Sequence, residues 1–210
     1  MKSKSEVLIV DYGMGNLWSV RSAFEHLNCT VKISSAPEEI GRANRLILPG
    51  VGSFRVAMET LIQTGIAEAV IDAVKRQGVY IFGICLGMQL LGSLSPEDGE
   101  TDGLGLIDAR IDQFDKGLTK DLKIPHVGFD LVKSGNGSRL FKDMPHENDF
   151  YFVHEYRMQN TLREGVSSTC NYGETFLAAY EFENILATQF HPEKSQANGL
   201  KLLSNFLELT

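Results

Sequence analysis

The sequence predicts an α/β fold with a mixed, mostly parallel central sheet, helices on both faces and antiparallel additions. Short apolar, β-rich runs alternate with helix-period stripes through the first half of the chain, which favours parallel strands covered by helices. The second half holds a succession of strand-like segments, which favours antiparallel additions to the sheet. A length of 210 residues suits one domain with a full core, so we expect a single domain over residues 1–210.

The first half begins with a strand, Glu6–Asp11, and an amphipathic helix. The apolar positions of this helix recur at spacings of three and four residues, and its predicted N-cap is Asn16. Its apolar stripe is Leu17, Val20, Phe24 and Leu27. The further predicted elements are a strand Thr30–Ile33, a helix Pro37–Ala43, a strand Arg45–Leu48, a helical segment Phe54–Gln77 broken near Gly65, a strand Val79–Ile84 and a helix from the Cys85 turn through Leu91.

The second half is predicted to hold strands and one final helix. The predicted strands are Ile107–Phe114, Ile124–Val132, Phe150–Met158, Val166–Tyr172, Phe176–Phe182 and Ile185–Phe190. The helix covers about Gln196–Leu207. The polar, glycine-containing segment Ser93–Gly105 is predicted to be a mobile surface loop.

Charge and cysteine content restrict the partners and the compartment. The formal net charge of −7 argues against nucleic acid or an anionic membrane surface as the main partner. No apolar stretch approaches the roughly 20 residues needed to cross a bilayer. Three widely spaced cysteines without a CxxC pair argue against a disulfide framework and against zinc. We expect a cytoplasmic protein without a metal or other cofactor, with His26 and His146 on the surface and His126 and His154 in structural positions.

The segment Gly83–Gly92 reads GICLGMQLLG and follows an apolar run. Its first five residues have the spacing of a nucleophile elbow, with a glycine two positions before and two positions after the reactive residue. Such a sharp turn would expose the Cys85 sulfur, and the amides and dipole at the start of the next helix would favour its thiolate. From these five residues alone, a buried cysteine in a tight turn is an equally good interpretation.

The segment Gln189–Ser195 reads QFHPEKS. Pro192 restricts His191 to an extended conformation, so the side chains of His191 and Glu193 can point the same way. A carboxylate beside an imidazole fixes its tautomer and stabilises its protonated form. The alternative is a helix start with Pro and Glu in its first turn. A His–Glu pair complements an elbow cysteine elsewhere in the chain, which favours the catalytic interpretation.

Two further glycine-rich loops, DYGMGN and PGVGSF, follow the first and third predicted strands. Neither has the full pattern of a dinucleotide fingerprint or of a phosphate-binding loop. Loops at the carboxyl ends of the strands meet at the edge where α/β proteins form their sites. The Gly50–Gly52 loop can turn an amide, that of Val51, toward a developing oxyanion beside the amide of Leu86. An ordinary turn between strand and helix is the alternative.

Seven motifs occur in the order DYGMGN, LPGVGSF, GICLGMQLLG, IPHVGF, YFVHEY, CNYGETF and QFHPEKS, and they span Asp11 to Ser195. Together they resemble the class I, triad-type glutamine amidotransferases, and more narrowly the glutaminase subunits of imidazole glycerol phosphate synthase. The elbow and HPE are typical of the superfamily, whereas DYGMGN, PHVGF and FVH are typical of the subunit. The resemblance implies the class I amidotransferase fold and hydrolysis of glutamine to glutamate and ammonia for histidine biosynthesis.

The resemblance also implies a role for each matching residue. Cys85 would be the nucleophile, with His191 as acid and base and Glu193 as its orienting carboxylate. The amides that would hold the oxyanion belong to Val51, Gly52 and Leu86. The residues that would line the glutamine pocket are Gly52, Gln89, His154, Glu155 and Tyr156. Those that would lie toward the partner or the ammonia passage are Asn16, Phe129, Tyr151 and Lys194.

A partner follows from chemistry as well as from the resemblance. Ammonia released into neutral water is largely protonated and no longer nucleophilic, so it has to pass directly to a second active site. Nothing in the sequence resembles a synthase site, which puts the acceptor on another chain. The resemblance implies a heterodimer with a TIM-barrel cyclase subunit, which makes imidazole glycerol phosphate and an aminoimidazole carboxamide ribotide.

The chain departs from the family pattern at two places. It has Phe129-Asp130 where the family usually has Trp-Asn, and Glu155 where the family usually has Ser or Thr. These departures leave a second acceptor open, an enzyme that amidates a surface-polysaccharide sugar. Two hypotheses from other classes are a stand-alone hydrolase or peptidase and a binding module with a vestigial triad. The intact Cys85, His191 and Glu193 argue against the binding module.

Overall fold

The computed structural model describes residues 5–115, 117, 122–159 and 164–209. Its strands are β1 (Glu6–Val10), β2 (Thr30–Ser34), β3 (Arg45–Gly50), β4 (Tyr80–Cys85), β5 (Leu94–Ser95), β6 (Thr101–Asp102), β7 (Ile111–Gln113), β8 (His126–Lys133), β9 (Glu147–His154), β10 (Tyr156–Met158), β11 (Val166–Tyr172), β12 (Glu174–Phe182) and β13 (Ile185–Thr188). Its helices are α1 (Leu17–His26), α2 (Pro37–Ile40), α3 (Phe54–Gln63), α4 (Ile66–Lys75), α5 (Leu86–Leu90) and α6 (Gln196–Leu207), with a 3-10 helix over Pro192–Lys194.

A nine-stranded sheet crosses the described residues in the order β2-β1-β3-β4-β13-β12-β11-β8-β9. The strands from β2 to β13 pair in parallel. From β13 to β9 every pairing is antiparallel. The predicted mixed sheet with antiparallel additions is confirmed, and the antiparallel part contributes as many pairings as the parallel part.

Helices cover both faces of the parallel part, as predicted. Successive β1 side chains alternate between two apolar clusters, because neighbouring residues of a strand point to opposite faces. Val7 and Ile9 belong to the cluster that contains residues of α1 and α6. Leu8 and Val10 belong to the cluster that contains residues of α3, α4 and α5. Each fully buried large apolar side chain contributes about 1.5–3 kcal/mol, so the two clusters stabilise the sheet from both sides.

Two local predictions in the first half are confirmed. The Asn16 side chain caps α1 by accepting a hydrogen bond from the Ser19 amide at 3.3 Å. The predicted helical segment breaks between α3 and α4 at Gly65, which has a φ of 74°. This left-handed conformation is easily adopted by glycine and disfavoured for residues with a Cβ atom.

The segment between α5 and β7 differs from its prediction. Ile107–Phe114 was expected to be a strand, but only Ile111–Gln113 pairs as one, with β10. Upstream, the amides of Leu104 and Ile107 instead donate to the carbonyls of Leu90 and Leu91 at the end of α5. Helix ends need such partners, and the apolar pattern of a strand carries no sign of this use. The predicted surface loop Ser93–Gly105 contains the short hairpin β5–β6.

The predicted strand Phe150–Met158 is two strands that pair with different neighbours. β9 pairs with β8 in the large sheet, and β10 pairs with β7 in a two-stranded sheet. The break lies at Glu155. In the sequence, the alternation of apolar residues continues across the break, from Phe150 and Phe152 to Tyr156 and Met158, and so it gives no signal of the change in partner.

Candidate active site

Cys85 lies where β4 ends and α5 begins. Its φ of 55° and ψ of −110° are unusual for a residue with a side chain, as in a strained elbow. The flanking glycines are needed for this turn. A Cβ atom on Gly83 would lie 2.8 Å from the Leu91 side chain, and one on Gly87 would lie 1.7 Å from the Leu48 carbonyl oxygen. The helix that follows has only five residues and therefore a weak dipole. The main effect of the turn is to orient the sulfur.

His191 and Glu193 form a buried pair near the start of α6. The His191 Nδ1 donates to Glu193 Oε1 at 2.7 Å, and the two side chains are 3% and 1% exposed. His191 is extended, with a φ of −100°, as Pro192 after it predicts. The interpretations of this motif as a helix start and as an oriented imidazole are therefore compatible in one structure.

Ser195 fixes the backbone of the His191 segment to β9. The His191 amide donates to the Tyr151 carbonyl at 2.9 Å, and the Tyr151 amide donates to Ser195 Oγ at 3.0 Å. Ser195 Oγ in turn donates to the His191 carbonyl at 2.6 Å. No role for Ser195 is predicted from the sequence, where its position directly before α6 is the available signal.

The electrostatics of the pair favour a protonated imidazole. Burial lowers the pKa of His191, but the Cys85 sulfur and the Glu193 carboxylate raise it to about 10 by hydrogen bonding and charge. Because Nδ1 is bonded to Glu193, Nε2 is the nitrogen available to Cys85, and no group among the described residues forms a hydrogen bond of normal geometry with it. The ring therefore holds its proton at neutral pH.

We expect the C85A variant to lower the pKa of His191, because the Cys85 sulfur is one source of the upward shift. In C85A, burial would still lower the pKa of His191 and Glu193 would still raise it. An NMR titration of the five histidine rings in both proteins measures the change. His26 is exposed and serves as the internal control. An unchanged titration of His191 would contradict the coupling of the ring to the sulfur.

A cavity of about 220 Å³ opens beside the cysteine. Its lining residues are Val51, Gly52, Cys85, Leu86, Gln89, Glu97, Val153, His154, Glu155 and Tyr156. All the residues predicted to hold the oxyanion or the substrate are among them. Glu97 and Val153 were missed, and Glu97 lies in the segment predicted only to be a surface loop. The cavity gives a small polar molecule access to the sulfur.

The Pro49–Gly52 loop is held beside Cys85 by the sheet and by Tyr12. Gly50 pairs with Cys85 in the parallel register of β3 and β4. The buried Tyr12 hydroxyl donates to the Pro49 carbonyl at 2.7 Å, and a Cβ atom on Gly50 would lie 2.2 Å from that hydroxyl. Gly52 has a φ of 102°, which suits glycine alone. The DYGMGN loop, through Tyr12, therefore supports the Pro49–Gly52 loop, which is predicted to hold the oxyanion.

Gln89 closes the inner wall of the cavity. Its Nε2 donates to the Tyr156 carbonyl at 2.9 Å and to Gln189 Oε1 at 3.1 Å. Both of its N–H bonds are therefore directed into protein. A ligand in the cavity can use the Gln89 side chain only as an acceptor, through Oε1.

Two carboxylates stand at the mouth of the cavity. Glu97 accepts a hydrogen bond from the Phe54 amide at 3.0 Å. Burial raises the pKa of Glu97, with further upward contributions from Asp98 and Glu155 against the lowering effect of that amide. Glu155 is exposed and accepts from Gln113 Nε2 at 2.9 Å. Its charge is therefore hydrated, and the desolvation cost of a buried carboxylate does not arise.

Two histidines, His126 and His154, form a buried pair beside the cavity, and His154 also lines it. Their rings are joined by a hydrogen bond of 3.1 Å between His126 Nδ1 and His154 Nε2. His154 Nδ1 donates to the Tyr156 carbonyl at 2.9 Å. Burial lowers the pKa of His154 to about 3, so this ring is neutral. His26 and His146 are exposed, as expected.

Three of the four residues predicted to face a partner are neighbours. Phe129 pairs with Tyr151 across β8 and β9, and their ring centroids are 5.5 Å apart. The Lys194 ammonium lies 5.6 Å from the Tyr151 ring centroid. Val127 and Leu131 extend this exposed apolar row along β8. Asn16 lies apart from the row, at the start of α1.

The described part of the chain holds neither of two other classes of site, a membrane-spanning helix and a cluster of metal ligands. No helix there is long and apolar enough to cross a membrane. Across residues 5–115, 117, 122–159 and 164–209, no group of three or more His, Cys, Asp or Glu side chains is arranged to hold a metal ion.

Comparison with known proteins gives one consistent family. The model of the class-I glutamine amidotransferases matches residues 8–209. Imidazole glycerol phosphate synthase subunit HisH 1 of Parasynechococcus marenigrum is 41% identical over 98% of this chain and 99% of its own length. The chloroplastic imidazole glycerol phosphate synthase hisHF of Arabidopsis thaliana is also 41% identical, and the match covers 98% of this chain and 34% of that relative.

The fold agrees with solved structures as well. A crystal structure described as a glutamine amidotransferase superposes with a TM-score of 0.75, over 96% of this chain and 97% of that chain, at 19% identity. At this identity the likeness concerns the fold alone. The sequence relatives carry the finer assignment, so the chain belongs to the class-I glutamine amidotransferases and, within them, to the family of the HisH subunits of imidazole glycerol phosphate synthase.

Proposed function

We propose that the chain hydrolyses glutamine to glutamate and ammonia with a Cys85–His191–Glu193 triad and delivers the ammonia to a cyclase subunit of imidazole glycerol phosphate synthase in histidine biosynthesis. The observation that carries this proposal is that the elbow cysteine and the glycine loop line one cavity of about 220 Å³, while the buried His191–Glu193 pair interacts with the sulfur of that cysteine. The cavity is polar enough for glutamine, with Gln89 and two carboxylates in its wall.

In the first step, the Cys85 thiolate attacks the side-chain amide carbon of glutamine. The carbonyl oxygen gains negative charge, which the amides of Leu86 and of the Val51–Gly52 segment would stabilise. Leu86 follows the nucleophile directly, and Gly50 lies opposite Cys85 in the sheet. The same two backbone segments would stabilise the oxyanion both when Cys85 attacks glutamine and when water attacks the thioester.

In the second step, the protonated His191 gives its proton to the departing ammonia, leaving a thioester on Cys85. The neutral ring then takes a proton from water, which attacks the thioester and releases glutamate. Glu193 keeps Nδ1 as a donor, so that Nε2 carries the transferred proton. The raised pKa of His191, about 10, favours the protonated form required at the start of the cycle.

Recognition of glutamine is assigned to the wall and mouth of the cavity. The Gln89 Oε1 atom can accept a hydrogen bond from the substrate. Glu97 and Glu155 offer negative charge to the α-ammonium group, an interaction that neutral amides without this group would lack. Glu155 reaches this mouth from the turn between β9 and β10, where its carboxylate is already oriented by Gln113.

The partner is proposed to dock on the exposed row formed by Val127, Phe129 and Leu131, with Tyr151 and Lys194 beside it. Contiguous exposed apolar side chains are typical of interaction surfaces. His191 is tied to the Tyr151 backbone, so the row adjoins the catalytic segment. In the Arabidopsis thaliana relative, the matched region is about a third of a longer chain, which is consistent with a second functional unit near this subunit.

The decisive experiment measures glutamate release by the purified chain, alone and mixed with a histidine-pathway cyclase subunit and its ribulosyl ligand. We expect little release by the chain alone and strong stimulation in the mixture. Absence of stimulation would overturn the histidine-pathway partner and favour a sugar-modifying acceptor. Rapid release by the chain alone would favour a stand-alone hydrolase.

A further inference from the structure

Gln189, which has no part in the triad, contacts the cysteine sulfur. Its side chain is fully buried, and its Nε2 lies 3.7 Å from Cys85 Sγ within hydrogen-bonding reach of a sulfur acceptor. The residue follows β13, which pairs in parallel with β4, and its amide donates to the Ala178 carbonyl at 2.8 Å. Its backbone is therefore fixed on both sides next to the nucleophile.

A chain of hydrogen bonds determines which end of the Gln189 amide faces the sulfur. The Tyr156 carbonyl can only accept, so the neighbouring Gln89 must turn its Nε2 toward it. That same Nε2 contacts Gln189, which must therefore present its Oε1 to Gln89. The remaining end of the Gln189 amide is its N–H donor, and this end faces Cys85.

The sulfur has a second neighbour that acts in the opposite sense. Cys85 Sγ lies 3.7 Å from the Val153 carbonyl oxygen, to which a thiol can donate its proton. A thiolate has no proton to donate and is repelled by that oxygen. The Gln189 N–H, by contrast, bonds more strongly to an anionic sulfur than to a neutral one. The balance between thiol and thiolate thus depends on the donor that Gln189 supplies.

We propose that Gln189 is a further catalytic residue, whose N–H group stabilises the Cys85 thiolate and whose orientation is set by Gln89 and the Tyr156 carbonyl. This inference rests on the proposed function, because it assumes that Cys85 is the nucleophile. Gln89 then has two tasks, to line the cavity and to hold Gln189 with its donor toward the sulfur.

Alkylation of Cys85 by iodoacetamide tests the proposal without glutamine turnover. The full chain is treated over a range of pH, and mass spectrometry measures the rate at Cys85 against Cys29 and Cys170. In Q189L, which removes the donor, we expect alkylation at pH 7 to slow about tenfold, the effect of losing a hydrogen bond to a charged group. We expect the whole rate profile to move to higher pH. A purely structural role would lower the maximal rate without moving the profile.

Two further variants keep the test decisive. Q189E retains the shape and the bond from Gln89 but turns an oxygen toward the sulfur, so its alkylation should be slower still. It replaces Q189L as the deciding variant if Q189L does not fold, as judged by thermal unfolding. Q77L is the matched control, because Gln77 is exposed in the turn after α4 and its substitution should leave the profile unchanged.

The results separate the inference from the function on which it rests. If Cys85 in Q189L is alkylated at pH 7 at the wild-type rate, the role of Gln189 is overturned. Should Q189L not fold, the same result in Q189E overturns it. Equal rates at Cys85 and at the buried Cys29 and Cys170 in the wild-type chain would overturn Cys85 as the nucleophile and with it the proposed function.

Discussion

The C85A variant is expected to lose glutamine hydrolysis by about six orders of magnitude, the loss found when the nucleophile of a catalytic triad is removed. The cavity would keep its walls and still bind glutamine, but no atom could form the thioester. Production of glutamate by the complex with the cyclase subunit measures the loss. Ammonia added at high pH bypasses the glutaminase step, so synthase turnover with ammonia should persist in the complex with C85A.

The matched control for this variant is C170A. Cys170 is buried in β11, and burial raises the pKa of its thiol to about 12, so it is unreactive at neutral pH. Its removal should leave glutamine hydrolysis at the wild-type level. Substantial glutamate production by C85A would contradict Cys85 as nucleophile. Loss of ammonia-dependent turnover would contradict the proposal that the chain only delivers ammonia.

The G87A variant is expected to disrupt the elbow through a single methyl group. The added Cβ atom would lie 1.7 Å from the Leu48 carbonyl oxygen and 2.7 Å from its carbonyl carbon, and both belong to the backbone of β3. Neither atom can swing away as a side chain can, so α5 and β3 have to separate. Overpacking of this kind costs about 3 kcal/mol or more, which corresponds to a fall in Tm of about 6–12 °C.

Activity should fall further than stability in G87A, because separation of β3 from α5 moves the Pro49–Gly52 loop away from Leu86. Thermal unfolding and glutamate production are measured on the same preparation. G41A is the matched control, since Gly41 has a φ of −64° and its added Cβ atom would lie 3.4 Å from the nearest atom. A wild-type Tm in G87A would contradict the tight approach of β3 and α5.

The parts of the site that depend on local chain geometry could be predicted from the sequence. The sharp turn at Cys85 requires small neighbours, and glycines stand at both positions. The contact between His191 and Glu193 follows from their two-residue spacing and from Pro192, because an extended backbone points both side chains the same way. The membership of Gln89 and Tyr156 in the cavity wall came from resemblance to the family and not from local pattern.

The parts that depend on distant strand pairing could not be predicted. Gln189 reaches the sulfur because β13 pairs with β4, and nothing in either segment specifies that pairing. Glu97 enters the cavity because the hairpin β5–β6 is held against the end of α5 by backbone hydrogen bonds. The break at Glu155 was missed because its two flanking strands continue one apolar alternation. In each of these cases the pairing of distant strands, and not the local sequence pattern, determined the structure.

The insertion of β13 between β4 and β12 also bears on how the protein is made. Cys85 leaves the ribosome about a hundred residues before Gln189 and His191, since the last two are separated from it by most of the second half of the chain. Contacts between residues so far apart in sequence form late and slow the folding of the domain. A nascent chain with β4 but without β13 has Cys85 but neither Gln189 nor His191, and it exposes a strand edge in the middle of the future sheet. The proposed hydrolysis of glutamine therefore requires β13 to be docked, and we expect a product truncated before β13 to be inactive and to expose an unpaired strand edge.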